Sequence, residues 1–270
     1  HMNILNNGNS LAKRIKYTDK DSICVQVPLY HCFGMVMGNL AAVNVGATIC
    51  YPAEGFNPKA SLEAIQKYKL TTLYGVPTMF IDCLKEQEKG NYDLSSLRKG
   101  IMAGSLCPRP LMEGCINKLG ITEMSICYGM TETSPVSVMS HPDDSIENRV
   151  STVGNVMDHL EVKIVDENGR TVPYNTPGDL WTRGYSVMKG YYGDEEGTKK
   201  AKTEDGWLKS GDVGVMDERG YITIVGRIKD MIIRGGENVY PKEIEDFLMT
   251  MDPNVENVQV FGVPDEKYGE

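Results

Sequence analysis

The sequence has no Cys–x–x–Cys pair, 4 histidines, 2 tryptophans and no long apolar run. Each scarcity excludes something. Seven cysteines (Cys24, Cys32, Cys50, Cys83, Cys107, Cys115 and Cys127) show no Cys/His spacing of a zinc site, and their odd number does not suit a closed disulfide framework. Most lie in apolar runs such as SICVQV and ATICYP, where a free thiol acts as a small hydrophobe. A reducing compartment, the cytoplasm, is therefore expected. No stretch approaches the roughly 18 apolar residues of a membrane span, and the opening HMNILNNGNSLAKRIK has no apolar signal core. Basic residues are outnumbered, 28 against 37 acidic ones, and the net charge of −9 argues against nucleic acid as a partner. What remains is ordinary globular composition, 41% hydrophobic and 24% charged over 270 residues. At roughly 100–200 residues per domain, that length favours two domains over one.

Up to about residue 135 the pattern alternates. The apolar runs 22–27, 47–51, 71–76, 100–105 and 125–130 read as strands, separated by helical stretches. Asn57 and Pro58 fit an N-cap and first-turn proline, while Gly46, Gly90 and Gly120 fall where helices should end. Strands spaced by helices predict an α/β unit over 1–150, with a mostly parallel sheet flanked by helices. From 151 to 228 short strands with Asn-Gly and Arg-Gly turns predict a small antiparallel, β-barrel-like unit. Residues 229–270 read as a hinge and the beginning of an α+β C-terminal domain. There, 241–250 is expected to be a helix and VENVQVFGV a strand. One helix and one or two strands do not close a core, so the sequence is expected to be cut within that domain.

Ligands in parallel sheets bind beyond the strand C-termini, so the residues after each strand carry the functional signal. In CYGMTETSP (127–135), Gly129 permits close approach of backbone to a ligand, Thr131 and Thr133 offer hydroxyls to phosphate or carboxylate, and Glu132 offers a hard oxygen to Mg²⁺. The bland alternative is a surface turn with a capping threonine. PLYHCFGM (28–35) places His31 beside Tyr30 and Phe33, either as a ligand wall or as packed core. MAGS (102–105) suits a flat ring lying on backbone, or tight helix–sheet packing. The proline of VPTM (76–79) most simply starts a helix. Asp212 in WLKSGDVG and Arg227 in GRIKD form either a ribose clasp or a closing ion pair. RGGENVYP combines two glycines with a helix start near Asn238. Several of these motifs fall at strand ends or Gly-rich turns, and convergence on one cleft is the expectation.

The ordered set PLYHCFG, MAGS, YGMTETSP, WLKSGD and GRIKDMIIRGGENVYP resembles the adenylate-forming superfamily of acyl-CoA synthetases, luciferase-type enzymes and peptide-synthetase adenylation domains. Within it the chain looks most like short- to medium-chain fatty acyl-CoA synthetases. The resemblance implies ATP, Mg²⁺ and CoA as cofactor and co-substrates and a carboxylic acid as substrate. It implies Glu132 as the Mg²⁺ ligand and Thr131 as a contact to the AMP phosphate. Tyr128 and Gly129 would face adenine and the acyl carboxylate. Ala103, Gly104 and Ser105 would flank adenine and line the acyl pocket. Asp212 and Arg227 would hold the ribose, and His31, Val76 and Pro77 would line the acyl pocket. Lys229 would be the hinge of the small domain, with Gly235 and Gly236 beside the CoA tunnel. The family's phosphate loop, (S/T)SGTTGxPKG, and the C-terminal Gly-Lys pair do not occur in the sequence, so the 270 residues alone are expected to be inactive. PLYHCFGM carries no acid to pair with a substrate ammonium, which disfavours amino acids. Transfer to a carrier protein, or a non-catalytic nucleotide-binding module, are the alternatives, and a homo-oligomer is left open.

Overall fold

Prolines open helices in the first half of the chain and left-handed residues close them. The structure, a computed structural model, describes residues 1–104, 107–234, 237–251, 255, 258–265 and 268. Ser105, Gly235 and Gly236 thus lie outside the described residues. The elements of the first half are α1 (Met2–Arg14), β1 (Ser22–Cys24), a π-helix (Phe33–Leu40) running into α2 (Ala41–Val45), β2 (Thr48–Cys50), α3 (Pro58–Tyr68) and β3 (Thr72–Gly75). There follow α4 (Pro77–Gly90), β4 (Lys99–Ala103), α5 (Arg109–Leu119), β5 (Glu123–Gly129), β6 (Val136–Met139), α6 (Ile146–Ser151) and β7 (Asn155–Val156). Asn57 Oδ1 accepts from the Ala60 amide at 3.0 Å, and Pro58 begins α3 with its preset φ. Gly46 and Gly120 end α2 and α5 in the left-handed conformation. α4 ends at Gly90 as expected, but the left-handed cap is the next residue, Asn91 (φ 46°). Asparagine tolerates that conformation better than most residues with a side chain.

The sheet order is β2-β1-β3-β4-β5-β6-β7, with β1 to β5 parallel and β6 and β7 added antiparallel. This is the expected parallel-rich α/β unit. Leu73, Tyr74, Ile101 and Met102 in its middle strands are fully buried, as strands covered on both faces should be. Each such side chain contributes roughly 1.5–3 kcal/mol by leaving water. Chain order reverses between β1 and β3, so the loops leaving their C-terminal ends flank a topological switch point.

At the other end of the strands lies a buried charge network. The Asp21 carboxylate, 1% exposed, accepts from the Thr18 amide (2.9 Å) and the Thr71 hydroxyl (3.3 Å) and pairs with Lys99 (3.4 Å) and Arg98. Lys99 Nζ, also buried, donates to the Lys16 carbonyl at 2.7 Å and lies over the Tyr17 ring. The network ties the residue before β1 to the starts of β3 and β4.

The chain divides into two compact units, His1–Glu161 with Arg183–Glu195, and Val162–Thr182 with Glu196–Glu270. The later elements are β8 (Leu160–Val165), β9 (Gly178–Gly184), α7 (Glu195–Ala201), β10 (Leu208–Met216), β11 (Ile222–Arg227), β12 (Ile232–Arg234), β13 (Glu237–Val239) and α8 (Pro241–Met251). A four-stranded sheet runs β11-β10-β9-β8, with β9/β10 and β10/β11 antiparallel. One device makes two of its turns: Asp166 Oδ1 accepts from the Asn168 and Arg170 amides, and Asp217 Oδ1 from the Arg219 and Tyr221 amides, all at 2.9 Å. Both tryptophans pack against lysine here. Lys163 Nζ lies 4.8 Å from the Trp181 ring centre and 4.4 Å from that of Trp207.

Two local expectations give way in the last segment. Asn238 does not cap a helix. It sits in β13 opposite Ile233, and α8 begins at Pro241. In VENVQVFGV the described residues, 255 and 258–263, are not in a strand; the Val260 amide donates to Glu245 Oε1 (2.9 Å) instead of to a strand neighbour.

Candidate functional site

Parallel strands deliver their C-terminal residues to one edge, and three predicted segments arrive there side by side. Gly75 pairs with Met102 and Ala103 with Cys127, so Val76 and Pro77, then Ala103 and Gly104, then Tyr128 to Glu132 leave adjacent strand ends. β1, the neighbour of β3, leads to His31. The ends meet through side chains too, since Cys32 Sγ lies 3.9 Å from Thr131 Oγ1. Pro77 begins α4, as its position in VPTM suggests.

His31 is exposed, and its Nδ1 accepts from the Phe33 amide at 3.0 Å. That bond gives the neutral ring its proton at Nε2. Phe33 is no ligand wall: it is buried and stacks on Tyr74 with ring centres 5.8 Å apart. Tyr30, by contrast, is 94% exposed. The π-helix following His31 is pressed onto the loop before it, because a Cβ on Gly34 would stand 2.3 Å from the Pro28 carbonyl oxygen.

The loop after β5 is built around two threonines with opposite jobs. Thr133 is buried; its hydroxyl accepts from the Met130 amide (3.0 Å) and bonds the Pro135 carbonyl, which fixes the turn. Thr131 is exposed and available to a ligand. Gly129 is required by the loop itself: a Cβ there would lie 1.9 Å from the Pro135 carbonyl oxygen. Gly129→Ala is expected to displace residues 130–135 and to cost roughly 1–3 kcal/mol by overpacking. Chemical denaturation checks this, and unchanged stability would mean the loop has room to give.

Glu132 follows Thr131 in a 3₁₀ turn, and its Oε1 accepts from the Tyr191 phenol at 2.8 Å. Among the described residues, no three His, Cys, Asp or Glu side chains gather to hold a metal ion. A hard cation at this edge would have one carboxylate and would take its other oxygens from a phosphate-bearing ligand, a set that fits Mg²⁺. The seven cysteines are free, and burial pushes the Cys83, Cys107 and Cys127 thiols up to about 12, so they are protonated at neutral pH.

In the second unit, Asp212 and Arg227 are cross-strand partners of β10 and β11, with Oδ1 and Nε 3.2 Å apart. Asp212 is buried and Arg227 exposed, so the carboxylate is fixed while the guanidinium reaches solvent. Lys229 is exposed in the 3₁₀ turn Ile228–Asp230 that follows.

Residues 1–192 match the family described as AMP-binding enzyme. The chain belongs to that family. YngI of Bacillus subtilis (strain 168) is 50% identical over 271 residues, covering 100% of this chain and 49% of the relative. The mouse mitochondrial medium-chain acyl-CoA ligase ACSF2 is 44% identical over 275 residues, covering 100% of this chain and 45% of its own length. Among solved structures, o-succinylbenzoate coenzyme A synthetase (MenE) from Bacillus subtilis, in complex with ATP and magnesium ion, superposes with a TM-score of 0.86. It is 31% identical, over 98% of this chain and 54% of the other. The chain thus spans about half the length of the curated relatives it matches. Among the described residues, no helix is long and apolar enough to cross a membrane.

Two functional-looking residues escape sequence reasoning. Tyr191 lies in YYGDEEGT, which reads as an ordinary polar turn. Asp179 accepts from Trp181 Nε1 (2.6 Å) and the Gly211 amide (3.3 Å), next to the Asp212 turn. Burial raises its pKa, with Asp212 as a lesser contributor. Its only sequence signal is a Gly-Asp pair, which is common.

Proposed function

We propose that the chain is the central part of an AMP-forming acid–CoA ligase that activates a carboxylic acid, of fatty type, with Mg-ATP and transfers the acyl group to CoA. The observation that carries this is the exposed Thr131 beside a Glu132 carboxylate held by Tyr191, at the strand-end edge shared with His31, Val76 and Gly104. Family membership and an acyl-CoA ligase among the relatives support it.

In this reading the acid carboxylate attacks the α-phosphate of ATP, giving acyl-AMP and pyrophosphate, and the CoA thiol then displaces AMP. Magnesium held by Glu132 would supply charge neutralisation on the phosphates. Thr131 would donate its hydroxyl to the AMP phosphate. Tyr128 and Gly129 would border adenine and the acyl carboxylate, with Ala103, Gly104 and Ser105 along the ring and the acyl pocket. His31 would offer Nε2–H to the carboxylate end of that pocket, near Val76 and Pro77. Asp212, fixed by burial, would accept from ribose hydroxyls with Arg227 beside it. Gly235 and Gly236 would border CoA. We further propose residues 1–150 and 151–228 as subdomains of the large domain, with the small domain beginning at 229. A reducing compartment such as the cytoplasm suits the free thiols.

The 270 residues hold neither the family's phosphate loop nor its Gly-Lys pair, so this chain alone is expected to bind AMP at most weakly and to form no acyl-AMP. ATP–pyrophosphate exchange by the full-length enzyme against acids of graded length tests the reading. Exchange driven by fatty acids supports it; exchange driven only by an amino acid overturns it. Delivery to a carrier protein is the second reading for the acceptor, and thioester assays with CoA separate the two.

Lys229 is the proposed pivot between the half-reactions. Proline fixes φ near −65° and lacks the amide hydrogen. Lys229→Pro in the full-length enzyme is therefore expected to spare acyl-AMP formation more than transfer to CoA. Equal, small losses in single-turnover assays of the two steps would remove Lys229 from that role.

A further inference from the structure

The segment Arg183–Glu195 is laced to the loop after β5 by three hydrogen bonds. The Met188 amide donates to the Glu132 carbonyl (2.8 Å), the Ser134 hydroxyl donates to the Ser186 carbonyl (2.7 Å), and the Tyr191 phenol donates to Glu132 Oε1 (2.8 Å). Glu132 is thus held twice, at its backbone and at one carboxylate oxygen. Tyr191 is itself fixed by the turn it opens: the Asp194 amide donates to the Tyr191 carbonyl at 3.3 Å, and Gly193 between them has a φ of +71°.

We infer that Tyr191 is a positioning residue for the Glu132 carboxylate: its phenol occupies Oε1, fixing the rotamer and leaving Oε2 as the oxygen for the cation of a nucleoside triphosphate. The inference rests on the reading of Glu132 as the magnesium ligand. A carboxylate at the end of three free torsions presents its oxygens in many directions. A phenol on one of them removes that freedom before the ligand arrives. Partners of this outer kind typically change metal affinity about 10–100-fold when removed.

The test uses the full-length enzyme, its Glu132→Gln and Tyr191→Phe variants, and two readouts. The first is the ¹³Cζ resonance of Tyr191 at neutral pH, followed by NMR with ¹³Cζ-labelled tyrosine and assigned by its loss in Tyr191→Phe. Glu132→Gln is expected to move that resonance, because the carboxylate acceptor at 2.8 Å is replaced by a neutral amide. An unmoved resonance would overturn the proposal, because the phenol would then not sense the carboxylate. The second readout is binding of Mn²⁺·ATP, a paramagnetic stand-in for Mg²⁺·ATP, by electron paramagnetic resonance. Tyr191→Phe is expected to weaken it about tenfold with unchanged melting temperature, and Glu132→Gln to weaken it further. Wild-type affinity in Tyr191→Phe, with Glu132→Gln impaired, overturns the positioning role alone. Equal affinity in wild type and Glu132→Gln removes Glu132 from the metal and overturns both readings.

Discussion

Glu132→Gln is expected to cut acyl-adenylate formation in the full-length enzyme by orders of magnitude while leaving the fold intact. The amide keeps an oxygen that accepts from the Tyr191 phenol, and the backbone bond from Met188 to residue 132 is untouched. What disappears is the negative charge, and a neutral amide is a poor ligand for a hard dication. Pyrophosphate exchange at saturating magnesium measures the loss. Unchanged exchange would take Glu132 out of the metal site and leave Thr131 as the phosphate contact of this loop.

Asp21→Ala should have the largest effect on stability, with no effect on any site chemistry of its own. The substitution leaves the Lys99 ammonium buried with only the Lys16 carbonyl and the Tyr17 ring for company. Breaking a buried pair from one side costs about 3–5 kcal/mol. Arg98 is half-exposed and can turn to water, so it adds little to the loss. Asp21→Asn keeps one acceptor oxygen, for the Thr18 amide, and turns the other into an NH2 that can donate to the Thr71 hydroxyl, so it is expected to fall between wild type and alanine. Urea denaturation followed by circular dichroism compares the three; an alanine variant within 1 kcal/mol of wild type, a bound set well below the cost above, would mean that Lys99 finds another partner.

The sequence made the parallel sheet legible because its strands are continuous apolar runs with caps between them, and Asn57-Pro58 and Gly120 behave as that grammar requires. The strand-end location of the site followed, since topology alone brings Val76, Gly104 and Thr131 to one edge. Side-chain partnerships across long separations were not legible. Asn7 bonds both backbone groups of Val136, 129 residues away, and Tyr191 reaches Glu132 across 59. Neither has a local pattern, because a polar residue announces its type and not its partner. Gly129 shows a different limit: a glycine at a strand end suggests room for a ligand, whereas its own loop uses the space. In VENVQVFGV period and composition favour a strand, but a strand needs a neighbour to pair with, and among the described residues the Val260 amide bonds a carboxylate.

The placement of the tryptophans gives the molecule a native optical label. Trp181 and Trp207 both belong to the second compact unit, stacked on the ammonium of Lys163. Excitation at the red edge of protein absorbance therefore sees that unit alone, while the first is dark at that wavelength and speaks only through tyrosine. Unfolding scans read on the indole signal report the melting of that unit without any dye.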